Sequence, residues 1–498
     1  YVDEALRLPG TSWLGPPEPF WQPPLYPYVL ALLFSLFGEG ELLAPRLLQA
    51  LLGAGLCSLV YLVGRRVFPG SVALGAGITA ALNGPLIYFG AQLLPSLLGT
   101  TLNLLVIYLL MRAPGPRRPA YLLLGALLGL SCLAVANVLL LMPVLLVWLW
   151  RTHDAEWRTS QVALIVAGCG LVVLPVTARN VLVGGDAVLI SSNAGINFYI
   201  GNNAEAEQTI NIRPGRQWAE LVELPESVAG IEQPSAKSRF FFARASEFAL
   251  NEPAGFASLL VRKLYRFWHG DELKRNRDPY WARRDSELLS VLLWRGYGLA
   301  FPFGLIAPLS LLGLFAFLRE PRGRSPEGRL LVLFVLVYML SVVLFFVTSR
   351  YRLPAVPLLL LFAVYGAHTV LHGGKRRLRL VALVGLLVAC NWGLAPMPTE
   401  ADAQQLYWEG YAYAKTGMPA NAVQTFRQVL RQEPAHGGAL LGLAEMHERR
   451  REYDAARELY ERFLQEHPES EPVRYQLAGA LLRSQRSSDA IREYEALL

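Results

Sequence analysis

Apolar residues dominate two stretches of the chain, roughly 42–183 and 296–396, broken by short polar connections. An α-helix rises about 1.5 Å per residue, so an apolar run near twenty residues crosses a hydrocarbon core of about 30 Å. The pattern predicts about ten spanning helices, near 42–64, 71–90, 93–111, 119–135, 137–150, 160–183, 296–318, 329–348, 353–371 and 378–396. The run 119–150 exceeds one crossing and divides near Asn137. PPLYPYVLALLFSLFG (23–38) is too short to span and reads as a re-entrant or interfacial helix. A polar region at 184–290 and a tail from 399 stand outside this pattern.

The tail has its own period. Ala422, Ala456 and Ala490 are spaced by 34 residues, as are Phe426, Tyr460 and Tyr494, and Leu430, Leu464 and Leu498. Gly410, Ala444 and Ala478 follow the same spacing, and so do Pro434 and Pro468. Small residues at helix contacts, with Pro after the second helix, form the tetratricopeptide signature, here as three repeats. Residues 1–398 are thus expected to form a transmembrane core, with a first outer loop at 1–41 and a large outer loop at 184–290. Residues 399–498 form an α-solenoid. The fold class predicted is an all-α polytopic membrane protein with a C-terminal repeat domain.

Composition supports the membrane reading: 53% of the 498 residues are hydrophobic and only 17% charged, and mean hydropathy is +0.33. The net charge of +7 belongs to topology. Basic residues collect in alternate connections: Arg65 and Arg66; Arg112, Arg117 and Arg118; Arg151 and Arg158; Arg319, Arg322, Arg324 and Arg329; Lys375, Arg376, Arg377 and Arg379. The positive-inside rule makes these cytoplasmic and places the first loop, the 184–290 loop and the repeats outside. No nucleic-acid partner is expected. Cys57, Cys132, Cys169 and Cys390 lie in apolar runs and read as small buried hydrophobes. The chain opens in a polar stretch without an initiator Met, which leads us to expect one further span upstream.

Three polar clusters map to the expected outer face. Asp3 and Glu4 precede PEPFWQPPLYP (17–27), which contains Gln22 and Tyr26. Such a pair reads either as a solvated loop start or as a general base with an orienting partner. SRYRLP (349–354) holds Arg350 and Arg352 around Tyr351, against the positive-inside pattern. The arginines either snorkel to headgroups or bind a lipid phosphate through their guanidinium forks. ISSNAGINFYIGNN (190–203) alternates Asn193, Asn197, Asn202 and Asn203 with Phe198 and Tyr199, which suits a turn-rich loop or a sugar-binding one. Further on, Phe256, Leu259, Leu260, Lys263, Leu264 and Phe267 share a helical stripe, predicted to lie on the membrane with Lys263 at headgroup level.

In this order and spacing, residues 1–396 resemble the GT-C superfamily of membrane glycosyltransferases, near the protein O-mannosyltransferase and aminoarabinose transferase branch of family 39. The resemblance rests on the acidic pair, QPPLYPYVLALLFSLFG, LLQALLGAGLCSLVYLVGRRVF (47–68), NAGINFYIGNN and SRYRLPAVPLLLL (349–361). Two departures are Gln92, where relatives place an acid, and Gln22, where protein mannosyltransferases have a histidine. A core followed by repeats is similar to the animal transmembrane O-mannosyltransferases.

The resemblance implies transfer of a sugar from a polyprenyl-phosphate donor to an acceptor hydroxyl at the outer face, with inversion. Asp3 would act as base and Glu4 as its orienting partner. Arg350, Tyr351, Arg352 and Lys263 would bind the donor phosphate; Asn193, Asn197, Tyr199, Asn202, Gln22 and Tyr26 would contact sugar or acceptor. No resident cofactor is assigned, and the acidic pair leaves room for a divalent cation. The acceptor is a protein, lipid or glycan, protein partners would dock on the repeats, and a bacterial inner membrane is the expected location. A non-catalytic scaffold and a lipid-linked oligosaccharide ligase remain alternatives.

Overall fold

A computed structural model describes residues 1–498 except 12, 113–117, 153, 213–215, 277, 395–402 and 498. The expected boundary at 398–399, Arg117 of the basic set and Leu498 of the repeat lie outside the described residues. The chain forms two compact units. The first comprises Tyr1–Asn211, Val222–Arg275 and Ala282–Met397; the second comprises Ile212–Leu221, Asn276–Trp281 and Pro398–Leu498.

In the first unit the opening stretch is helical. α1 (Val2–Thr11) carries Asp3 and Glu4 in its first turn, where carboxylates complement the free N–H groups and the positive end of the helix dipole. It packs on α2 (Leu25–Phe37) through Ala5, Leu8, Tyr26, Leu30, Ala31 and Phe34. The expected outer loop therefore holds two helices. Then follow α3 (Leu43–Val67), α4 (Gly70–Ala81), α5 (Gly84–Ala91) and α6 (Pro95–Arg112). α4 and α5 make one expected span bent by 47°, with the Asn83 side chain capping α5 at Leu86 N–H. α7 (Arg118–Ala134), a 3-10 turn at Ala136–Leu141, α8 (Met142–Thr152) and α9 (Ala155–Leu182) complete this half.

α7 and α9 approach closely because glycines face each other. A Cβ on Gly125 would lie 2.1 Å from the Ile165 carbonyl oxygen, and one on Gly168 would lie 2.1 Å from that of Leu122. Small residues substitute here for the missing hydrophobic drive between helices in lipid.

The region expected to form the large outer loop contains α10 (Ala194–Gly201), α11 (Ala206–Thr209), α12 (Arg216–Ala229), α13 (Pro234–Asn251), α14 (Pro253–Trp268) and α15 (Glu287–Leu292). NAGINFYIGNN is thus a helix packed on α13, not a run of turns. On α14 the stripe Leu259, Lys263 and Phe267 is buried, while Val261, Leu264 and Tyr265 are exposed. Of the stripe expected to lie on lipid, Leu259, Lys263 and Phe267 are packed against protein while Leu264 stays exposed, because the four-residue spacing of the first three fits a protein contact as well as an interface.

A two-residue hairpin, β1 (Trp294–Gly296) and β2 (Leu299–Phe301), occupies the predicted start of the 296–318 span. Tyr297 and Gly298, with φ of 53° and 74°, supply the two left-handed residues that such a turn demands. The helices α16 (Phe303–Leu318), α17 (Pro326–Leu344), α18 (Ser349–Arg352), α19 (Val356–His372) and α20 (Arg376–Asn391) follow.

Among the described residues, five helices are long and apolar enough to span, or six counting the bent pair as one, and four further apolar helices are shorter. Among the described residues the membrane unit is all-α apart from the hairpin, and the basic residues Arg65, Arg66, Arg112 and Arg151 sit in the last turns of α3, α6 and α8.

The second unit contains α21 (Ala403–Lys415), α22 (Pro419–Gln432), α23 (Gly437–Arg449), α24 (Tyr453–Glu466), α25 (Glu471–Arg483) and α26 (Ser487–Glu495). These are three helix pairs, as the period predicts. Ala422, Phe426, Ala456, Tyr460 and Ala490 are buried in one core. A Cβ on Gly410 would come within 2.9 Å of the Phe426 ring, which explains a small residue at that repeat position. Trp281, from the loop region, joins this core, and Gln405 Oε1 accepts from Asp278 N–H at 3.3 Å.

Candidate active site

Successive residues on a helix diverge by about 100°, so Asp3 and Glu4 cannot point the same way. Asp3 is exposed. Glu4 turns inward and accepts a hydrogen bond from Gln22 Nε2 at 2.8 Å. Tyr1 stands at the start of α1, edge-on to Tyr26 with ring centres 5.8 Å apart. Burial raises the Tyr1 phenol above its ordinary range, against the pull of nearby Arg350, and Glu4 is close enough to add to the rise. Tyr26 is buried and its hydroxyl accepts from Gln49 on α3.

Arg350 meets this group from the far end of the chain. Its Nη2 donates to Tyr1 Oη at 3.4 Å and its Nε to Ser96 Oγ, at the start of α6, at 3.1 Å. Its guanidinium carbon lies 5.7 Å from the Tyr351 ring centre. Thr348 fixes the turn by accepting from Tyr351 N–H at 3.3 Å, and Ser349 N–H donates to Leu273 O at 3.0 Å. Ser96, Tyr1 and Tyr351 are all neutral hydroxyl-bearing groups, so they leave the charge of Arg350 uncancelled.

Arg352 is placed quite differently. It is 1% exposed and stacks over Phe303 at 3.4 Å. Its donors reach the carbonyls of Phe267, His269 and Asp271 at 3.2, 2.8 and 3.2 Å, and Glu272 Oε2 at 3.0 Å. Lys263 is also enclosed: its Nζ donates to Asn202 Oδ1 at 2.8 Å, and burial pushes its amine down to about 7. Asn202 in turn donates to Leu344 O, at the end of α17, at 2.8 Å. Both cations, expected on donor phosphate, are here engaged in tying outer segments to the helix ends.

Asn193, Asn197 and Tyr199 are half-buried on or beside α10. Asn193 Oδ1 accepts from Ser191 at 3.4 Å, and the Tyr199 ring packs on Phe241 at 5.5 Å. Tyr199 thus sits against α13 and, through its carbonyl, beside Asn202 and Asn203, whereas Glu4, Gln22, Tyr26 and Arg350 are joined around Tyr1. Among the described residues, no three His, Cys, Asp or Glu side chains gather as metal ligands. Asp3 and Glu4 diverge on α1, so the two carboxylates do not converge on one divalent cation.

Sequence reading missed the residues that shape the first outer segment. Arg179, near the C-terminal end of α9, donates to Leu14 O and Glu18 O, each at 2.6 Å, and to Pro16 O, and lies 4.2 Å over the Phe20 ring. Its neighbour Asn180 accepts from Phe20 N–H at 3.2 Å and donates to Val188 O at 2.9 Å. A lone arginine in the last turn of a long apolar helix was the available signal.

Residues 21–178, covering α2 to most of α9, match the family described as dolichyl-phosphate-mannose-protein mannosyltransferase. Residues 407–471 and 449–498 match two tetratricopeptide repeat families. Along the chain, a segment similar to that mannosyltransferase family therefore precedes segments similar to tetratricopeptide repeats. Gln22, Tyr26 and Ser96 lie inside the mannosyltransferase match, while Asp3, Glu4 and Arg350 lie beyond its ends. Among solved structures, the chain is similar to the oligosaccharyltransferase AglB from Archaeoglobus fulgidus in complex with an inhibitory peptide and a dolichol-phosphate, at 12% identity and a TM-score of 0.40, over 78% of this chain and 50% of that one. The apo form of the Archaeoglobus fulgidus oligosaccharyltransferase is similar at 12% identity and a TM-score of 0.41, over 83% of this chain and 52% of that one. The chain spans about half the length of these structures. No curated protein matches it.

Proposed function

We propose that the protein is an inverting glycosyltransferase that moves a sugar from a polyprenyl-phosphate donor to an acceptor hydroxyl at the outer membrane face. The observation that carries this reading is the meeting of Arg350 and the acidic α1 terminus at Tyr1, across 349 residues of sequence. A guanidinium whose partners are all neutral, close to the membrane boundary, suits the phosphate of a lipid-linked donor. That phosphate leaves as the glycosidic bond breaks, and Arg350 stabilises the negative charge that grows on it. Asp3, exposed where an acceptor would arrive, takes the hydroxyl proton. Glu4, held by Gln22, keeps α1 in register for the attack. One displacement from the face opposite the leaving phosphate inverts the anomeric carbon.

Arg352 and Lys263 support the site at a distance by holding the strand of chain that presents Arg350. The Asn193, Asn197 and Tyr199 helix is the remaining candidate for acceptor contact. The repeats, as binding surfaces, favour a protein acceptor or a recruited partner on the same side, and the outer face of a bacterial inner membrane is the setting this fits.

The deciding experiment uses the purified full chain with a labelled polyprenyl-phosphate hexose and acceptor, and follows release of polyprenyl phosphate. Asp3→Asn should lower turnover by about 10²-fold or more, the contribution typical of a general base, while donor affinity stays near wild type. Wild-type turnover in that variant would remove the assigned base.

A further inference from the structure

We propose that His368 and His372 form a site for a divalent transition-metal ion at the C-terminal end of α19. The chain has seven histidines, and these two alone stand four residues apart. On a helix that spacing puts side chains on one face, a turn apart, and two imidazoles so placed are the nucleus of helical zinc sites. The rings are stacked, with centres 4.6 Å apart and planes 28° from parallel. An ion about 2.0–2.1 Å from each donor nitrogen bridges nitrogens up to about 4 Å apart, a span that rings at this separation can supply.

The hydrogen bonding prepares the pair. His372 Nδ1 lies 3.3 Å from the His368 carbonyl oxygen. A carbonyl only accepts, so Nδ1 carries the proton and, in the neutral ring, Nε2 keeps its lone pair. A backbone carbonyl on the second nitrogen is how metal-binding imidazoles are usually oriented. His372 is exposed and His368 half-buried, so an ion reaches them from solvent. Among the described residues no third His, Cys, Asp or Glu joins them, which leaves water to complete the coordination.

The surrounding charge selects the ion. α19 ends at His372, and the carbonyls of a last helical turn favour a cation. Against this stand Lys375, Arg376, Arg377 and Arg379, the last donating to the Thr369 carbonyl. A hard ion such as Mg²⁺, which is held by oxygen ligands and charge, has nothing here to offset that repulsion. Zn²⁺, Ni²⁺ and Cu²⁺ gain coordinate bonds from imidazole, and the site is assigned to this class. The turn carrying Arg350 lies at the other end of α19, about 24 Å away at 1.5 Å per residue from Val356 to His372. The metal site therefore stands or falls independently of the donor reading.

The test titrates Ni²⁺, Zn²⁺ and Mg²⁺ by calorimetry into the purified full chain in nanodiscs, prepared without a polyhistidine tag. Ni²⁺ and Zn²⁺ should bind and Mg²⁺ should not. His368→Ala and His372→Ala should each weaken that binding by roughly tenfold or more, the least expected when a ligand is lost. His467→Ala, which removes an imidazole from the repeats, should leave the affinity at the wild-type value. Should His368→Ala fail to fold, the exposed His372→Ala decides alone. Wild-type affinity for Ni²⁺ and Zn²⁺ in a folded His372→Ala overturns the site, and so does a wild type that binds neither ion. Binding lost in His467→Ala but kept in the other two would place the metal in the repeats and overturn it as well, while Mg²⁺ binding as tight as Ni²⁺ would overturn the assigned class.

Discussion

Two neighbouring regions of the membrane unit spend their positive charge in opposite ways. Around Arg352 and Lys263 the cations are enclosed: Arg352 meets Glu272, with both side chains 2% exposed, and three carbonyls, while Lys263 meets Asn202. Around Arg350, two residues earlier, the partners among the described residues are hydroxyls and a tyrosine face, none of them charged. A cation with full partners gives geometry and little chemistry; one held only by neutral groups keeps its field for something else. The contrast teaches that two arginines in one six-residue motif can divide into a support and a binding group.

The comparison breaks most visibly at Glu272. Glu272→Ala would leave the Arg352 guanidinium buried without its counter-charge, so a loss of about 3–5 kcal/mol in stability is expected, read as reduced folded yield and a lower thermal midpoint. Arg350→Ala should do the reverse, cutting turnover on the polyprenyl-phosphate hexose by about 10²-fold while the thermal midpoint stays close to wild type. If Arg350→Ala unfolds the protein and Glu272→Ala does not, the two roles are exchanged.

The smallest effect concerns Lys263. Its amine is lowered by burial from the ordinary 10.5 to about 7, so between those values the unfolded chain binds the extra proton. Stability must therefore rise with pH across that window, and the full cost of the buried charge is felt below it. Lys263→Met should flatten the rise of thermal midpoint between pH 7 and the alkaline end, by a few degrees. An unchanged slope would mean that the amine is charged and paired in the fold.

Much of the fold was legible along the chain because its signals are local. The 34-residue period put Ala422, Ala456 and Ala490 in one core, since helix pairs of equal length stack in register. The apolar runs gave helices at most predicted spans. Legibility failed where two structures share one pattern. The stripe on α14 serves a protein contact as well as a membrane surface, and NAGINFYIGNN carries turn formers yet folds as α10 against α13. Near residue 297 a hairpin replaced the first turn of a helix, because Tyr-Gly accepts positive φ and apolar flanks suit strand or helix alike. For the candidate site, Glu4 with Gln22 and Arg350 with Tyr1 were within the singled-out clusters. Ser96 and Arg179 were not, as single polar residues in apolar helices have no pattern to mark them.

By itself the sequence determined that this chain is a multi-pass α-helical membrane protein with three appended repeats, since periodicity and run length act within one helix or between adjacent ones. Only the tertiary structure decided which charges are consumed and which are available. Arg352 finds Glu272 across 80 residues and Arg350 finds Tyr1 across 349, and such pairings arise from how helices pack, not from spacing along any one of them.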